Sequence, residues 1–161
     1  MKAIWPALIA GFFVCVGCSR SGAAPASGES TVQGVSSMAA AISRDLHSDG
    51  PNAWLRHFGR SPGFFMASDG RLAFPNNDSA TVFAHALATS MKRIELHWGA
   101  LRVDSLAPGV AQMTAPFDEV LVDTAGHEAK FSGYFTGVAQ RGDSGWVLRN
   151  AHWSIVHPAA P

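Results

Sequence analysis

The sequence predicts an α+β fold, with helices in its first half and an antiparallel sheet in its second. Three observations carry this reading. Up to about Ile94 the apolar residues recur mostly at helical spacing, from Glu95 onward they alternate as in strands, and no segment alternates strand with helix or repeats itself.

Taken in order, Met38, Ala41, Ile42 and Leu46 mark a first helix, and Ser48-Asp49-Gly50-Pro51 stops it. A short second helix follows. Pro51 suits its first turn, Asp49 or Asn52 caps it, and Trp54, Leu55 and Phe58 form its apolar side before Gly59. Phe64 to Phe74 carries a central Asp69-Gly70 between apolar runs, a hairpin signal, and Pro75 ends it. Asp78 or Ser79 then caps a third helix, whose predicted inner face is Phe83, Ala86, Leu87, Ser90, Met91 and Ile94.

Strands occupy the rest. Glu95 to Trp98 leads into the alternating Leu101 to Leu106, Ala107-Pro108-Gly109 turns the chain, and Val110 to Val122 forms a long strand with a bend at Pro116. Asp123 to Gly126 turns it again into a closing hairpin, Gly133 to Ile155, whose two strands meet at Gly142-Asp143-Ser144-Gly145.

The pattern of that hairpin, from Gly133-Tyr134-Phe135-Thr136-Gly137 to Trp146 and His152-Trp153-Ser154, resembles the final strands of the nuclear transport factor 2-like superfamily, SnoaL-like branch. The likeness covers roughly Met38 to Ile155. It implies N-terminal helices packed in the concave face of a curved antiparallel sheet, a cone around a pocket, and a homodimer paired sheet to sheet. The fold hosts enzymes, binding modules and assembly domains alike.

Strand parity selects pocket candidates. On the last strand Trp146, Leu148, Asn150, His152 and Ser154 share one face, opposite Val147, Arg149, Ala151, Trp153 and Ile155. Arg149 is costly to bury, so the even-numbered face is expected inward. Gly133, Phe135, Gly137 and Ala139 are then expected outward, where small residues suit close approach of a partner's sheet. A five-residue loop, Arg141 to Gly145, sets Tyr134 beside His152 and Thr136 beside Asn150; a four-residue loop breaks that register. The candidate site is therefore Tyr134, Thr136, Asn150, His152 and Ser154, with apolar walls from Trp54, Phe65 or Met66, and Trp98.

His152 suits general acid–base work and Tyr134 suits donation to an oxyanion. The resemblance to ketosteroid isomerases and SnoaL-like cyclases implies a pocket carboxylate as well. Asp69 reads as a turn residue, however, and Asp104, Asp118, Glu119 and Asp123 as residues of solvated edges and turns. The leading expectation is thus a domain binding a small apolar molecule. The alternatives are an isomerase, cyclase or hydratase using His152 and Tyr134, and a structural dimerisation domain whose cone Trp98, Phe117 and Trp146 fill.

No cofactor is expected, since there is no glycine-rich phosphate loop. No metal is expected either, because the histidines are scattered without ligand spacing. The formal net charge is zero, which leaves no basic footprint for nucleic acid.

The N-terminus gives an address. Met1-Lys2 and the apolar run Ala3 to Gly17 fit a signal peptide, too short for a comfortable span of roughly 20 residues. Val14-Cys15-Val16-Gly17-Cys18 resembles a bacterial lipobox, with Cys15 where leucine is usual. That makes Cys18 the lipidated residue, and Ser19 directs it to the periplasmic side of the outer membrane in a Gram-negative cell. Cleavage after Ala24-Pro25-Ala26, giving a soluble periplasmic or secreted protein, is the alternative. The expected organisation is a signal over 1–17, a flexible tether over 18–37, the folded domain over 38–157 and a tail over 158–161. Cys15 and Cys18 are the only cysteines, so the folded part has no thiol to pair or to react.

Overall fold

The computed structural model describes residues 28–157. The expected signal, Cys18 and the tail lie outside them. Helix α1 (Gly28–Asp49) leads, then a 3₁₀ turn (Pro51–Ala53), α2 (Trp54–His57), the hairpin β1 (Phe65–Ser68) and β2 (Arg71–Phe74), and α3 (Asn77–Ser90). Five strands complete the chain: β3 (Met91–Trp98), β4 (Arg102–Ala107), β5 (Val110–Asp123), β6 (Glu128–Gly142) and β7 (Gly145–Ile155).

Helix α1 begins at Gly28, not at Met38, and so takes in the end of the expected tether. The apolar stripe continues upstream: Thr31 and Val35 are buried in line with Met38, Ile42 and Leu46. Gly34 serves a contact on this helix. A Cβ there would collide with the Trp146 indole, so the missing side chain is what lets β7 approach α1.

Pro51 opens the 3₁₀ turn behind Gly50, which supplies no side-chain cap, so neither Asp49 nor Asn52 plays that part. Asn76, not Asp78, caps α3; its side chain accepts from Ser79 N at 2.9 Å, and the Ser79 hydroxyl reciprocates. The helix buries Ala80 and Ala84. Met91 and Ile94, expected on its inner face, belong to β3.

The strands form one curved, unclosed sheet in the order β2-β1-β7-β6-β5-β3, with β4 also beside β5. It is mixed rather than wholly antiparallel, because β1 runs parallel to β7. The chain enters β1 alongside β7: Gly59 N donates to Leu148 O at 2.7 Å before the strand begins. The long β5 pairs with β3 over Phe117–Asp123 and with β4 over Val110–Thr114. Pro116, which has no N–H to give a ladder, sits where one partner hands over to the other.

The closing hairpin corrects the parity reading. Its turn is the two-residue Asp143-Ser144 between paired Gly142 and Gly145, and Thr136, not Tyr134, lies beside His152. Ala139 pairs with Leu148 while Val138 pairs with Asn150, which leaves Arg149 as a bulged extra residue. Leu148 is buried as expected, but beyond the bulge the parity inverts and Ala151 is buried instead. Arg149 stays exposed without the rest of its face following it. Gly133 and Gly137 face inward, where the rings of Phe117 and Phe135 lie over them, rather than outward toward a partner.

Candidate functional site

The concave side of the sheet and the helices enclose a cavity of about 210 Å³. Helix α2 and the residue after it contribute Trp54 and Phe58, and the β1–β2 hairpin contributes Met66 and Phe74. Ala80, Phe83, Ala84 and Leu87 of α3 form one wall, with Ile94, Leu96 and Trp98 of β3 beside them. Phe117, Glu119 and Leu121 of β5, Phe135 of β6, and Trp153 and Ile155 of β7 complete it.

The rings are held by one another. Trp54 stacks on Phe58 at 5.4 Å, Phe74 meets Phe83 at 5.0 Å and Trp153 at 6.0 Å, and Trp98 meets Phe135 edge-on at 5.2 Å. Trp98 also donates its indole N–H to the Ala39 carbonyl at 2.9 Å. Its polar atom is thereby spent on α1, and it offers the cavity an apolar surface.

Glu119 is the exception in this wall. It shares a face of β5 with Phe117 and Leu121, paired with Leu96 on β3 and with Phe131 on β6. It makes no hydrogen bond or ion pair with any described residue. The residue is half-buried, and the apolar groups crowded around its carboxyl push it up to about 7, with no neighbouring charge contributing. Near neutral pH this carboxyl can therefore both give and accept a proton.

Known structures share this fold. A superfamily protein of nuclear transport factor 2-like type from Salmonella enterica superposes with a TM-score of 0.67 at 14% identity, over 82% of this chain and 96% of that one. A candidate scytalone dehydratase from Novosphingobium aromaticivorans gives 0.68 at 12% identity, over 79% and 85%. A hexachlorocyclohexane dehydrochlorinase of type 2 gives 0.63 at 9% identity, over 83% and 95%. The chain has the nuclear transport factor 2-like fold. No family sequence model and no curated protein matches it.

Within this nuclear transport factor 2-like cone, the expected walls Trp54, Met66 and Trp98 do line the cavity. Phe65 does not; it points away and is 43% exposed. The polar cluster is corrected as a whole. Tyr134, Thr136, Asn150, His152 and Ser154 do come together, with Thr136 paired to His152, Tyr134 to Ser154 and Val138 to Asn150. They lie on the convex face, because the Arg149 bulge turns that stretch of β7 over. Tyr134 is 47% exposed and His152 is exposed too. Neither reaches the cavity.

The group that parity could have found is Glu119. Ala111, Met113, Ala115 and Phe117 are the buried set of β5, and Glu119 continues their odd-numbered run. Of the residues expected to fill the cone, Trp98 and Phe117 instead line an open space, and Trp146 packs over Gly34.

A second titratable pair, His57 and Asp45, bonds at 3.0 Å between α2 and α1 but is not part of the cavity wall. Burial holds the His57 imidazole below its usual value against the pull of Asp45. Among the described residues no three His, Cys, Asp or Glu side chains group closely enough to hold a metal ion.

Proposed function

We propose that this protein binds a small, largely apolar molecule in the cone, with Glu119 as the one group that orients it. The observation behind the reading is an open aromatic cavity whose wall contains, among the described residues, one carboxyl without a polar partner. The test is fluorescence titration with 2-naphthol, a neutral ring bearing one hydrogen-bonding group. Saturable one-to-one binding supports the reading; no saturable binding counts against it.

A second reading follows from the same carboxyl. With its proton affinity near neutrality, Glu119 suits proton abstraction from a small apolar substrate, the first event of an isomerisation or an elimination. The structural neighbours include a candidate dehydratase and a dehydrochlorinase. In this reading the base is Glu119 rather than His152 and Tyr134. Ring opening of 5-nitrobenzisoxazole reads it out: a carboxylate takes the carbon-bound proton as the N–O bond breaks, releasing a coloured nitrophenolate. A saturable rate that rises with pH to a plateau and is lost in Glu119→Gln supports an enzyme; a rate equal to that of free acetate leaves binding alone.

The N-terminal sequence pattern motivates a reading of the address, and the resemblance motivates a reading of the pairing of copies. We propose lipidation of Cys18, tested by labelled palmitate incorporation that Cys18→Ala abolishes. We also propose a homodimer through the convex face, where Tyr134, Thr136, Asn150 and Ser154 present uncharged surface. Sedimentation that shifts from dimer to monomer in Tyr134→Glu supports it, and a monomeric wild type contradicts it. Among the described residues no helix is long and apolar enough to cross a membrane.

A further inference from the structure

The chemistry of the cavity wall narrows the ligand further than size and polarity do. Among the described residues Glu119 is its only ionisable one; no described Lys, Arg or His lines the space with it. Moving a carboxylate out of water with no counter-charge is unfavourable even after the protein relaxes around it. A partner that arrives with the ligand removes that cost. The rest of the wall favours the same sign of charge. Trp54, Trp98, Phe117, Phe135 and Trp153 surround the space, and the faces of such rings attract cations, tryptophan most strongly. An anionic ligand would meet a like charge and no basic side chain. A neutral ligand would gain from the rings but leave the ionised carboxylate unpaired.

We propose that the cavity takes a lipophilic cation, a small hydrophobic amine or quaternary ammonium whose charged nitrogen lies against Glu119 within the ring of aromatic side chains. This rests on the ligand-binding reading above and deepens it. Ligand charge and carboxylate charge are then linked: the cation binds the ionised form, so its affinity rises with pH through the Glu119 transition at about 7.

The other charged groups on the surrounding elements lie outside the wall. On β3 and β6, Arg93 pairs with Glu95 at 2.9 Å and with Glu128 at 3.3 Å, and Lys130 pairs with Glu128 at 3.1 Å. His47 of α1 and His97 of β3 lie near Glu95 at 3.7 and 3.9 Å. Lys92 of β3 and Asp118 of β5 are exposed on either side. Arg56 and His57 of α2 engage Asp49 and Asp45, His85 of α3 meets Asn52, and Asp78 is exposed at the start of α3. Arg71 of β2, Asp69 in its hairpin turn, and Arg149 and His152 of β7 are exposed as well. None of these charges contributes to the shift of Glu119.

Two isosteric probes separate charge from shape. Benzyltrimethylammonium is permanently charged, so its own ionisation adds no pH dependence, and neopentylbenzene is its neutral counterpart. Each competes with 2-naphthol on the purified protein. At about pH 8.5, above the Glu119 transition at about 7, the cation is expected to bind at least about tenfold tighter than its isostere. At about pH 5.5 the preference falls to about twofold or less, because Glu119 is then protonated. Glu119→Gln is expected to show the same preference, about twofold or less, at both pH values, with near-ultraviolet circular dichroism confirming its fold. Should that variant fail to fold, the pH dependence of the wild type still decides. A cation that competes no better than its isostere at the higher pH overturns the proposal and leaves an apolar pocket. Failure of 2-naphthol itself to bind overturns the reading beneath it.

Discussion

Glu119 sits directly across the β5–β3 ladder from Leu96, a residue only 4% exposed, so the half-buried carboxyl shares a face with a buried leucine. Its position is dictated by parity, since reversing it would also turn Phe117 and Leu121 out of the cavity.

That setting makes stability depend on pH in an unusual direction for a carboxylate. The folded value, about 7, lies above the ordinary 4.5, so between them the folded chain holds a proton that the unfolded chain has released. Stability from this group is full below the lower value and is lost as pH rises through the upper one, a loss of about 3 kcal/mol. His57, held low by burial, acts in the opposite sense at the acid side, so the comparison is made against a variant. Urea unfolding is expected to find Glu119→Gln more stable than wild type by about 3 kcal/mol at high pH and equal to it at low pH. Parallel pH profiles would contradict this.

Ala84 leaves part of the cavity open. It is buried at 3% on α3 and faces the open space. Ala84→Leu extends into that space, so thermal unfolding is expected to show stability unchanged or raised by up to about 1 kcal/mol. The same variant is expected to lose at least about tenfold in 2-naphthol affinity, since the site is partly filled. Loss of affinity together with loss of stability would mean overpacking instead.

Gly34 is a point of close approach between helix and sheet. Alanine there gains about 1 kcal/mol of helix propensity, but its Cβ would displace the Trp146 indole, with an overpacking cost of about 1–3 kcal/mol. Denaturant unfolding is expected to show a net loss near about 1 kcal/mol. A stabilised Gly34→Ala would show that Trp146 moves freely.

His152 and Tyr134 stand on the convex face, apart from the cavity. Titration of His152→Ala and Tyr134→Phe with 2-naphthol is expected to give affinities within about twofold of wild type, as for surface changes distant from a site. A large loss in either would place a ligand on the outer face.

Helix order, the Asp69-Gly70 hairpin and the strand succession were legible because each rests on local chemistry: periodicity, a turn dipeptide, alternation. The inward face of β7 was not, because one bulged residue, Arg149, separates Leu148 from Ala151 and nothing local announces it. Register across the closing hairpin depended on the turn length, and the paired glycines Gly142 and Gly145 shorten it. The start of α1 was legible in principle. Thr31 and Val35 continue the stripe of Met38 and Ile42, but the serine- and glycine-rich composition around them reads as a linker. Glu119 was hidden by its charge: a lone carboxylate is placed in water by default, although the apolar run of β5 points it inward.

The central claim, a single carboxyl held inside an apolar cavity, is tested most directly by following the Glu119 side-chain carboxyl by carbon NMR across pH in the ligand-free protein, with the signal assigned by its loss in Glu119→Gln. The account predicts a transition near 7; a transition near 4.5, like that of a solvated glutamate, would contradict it.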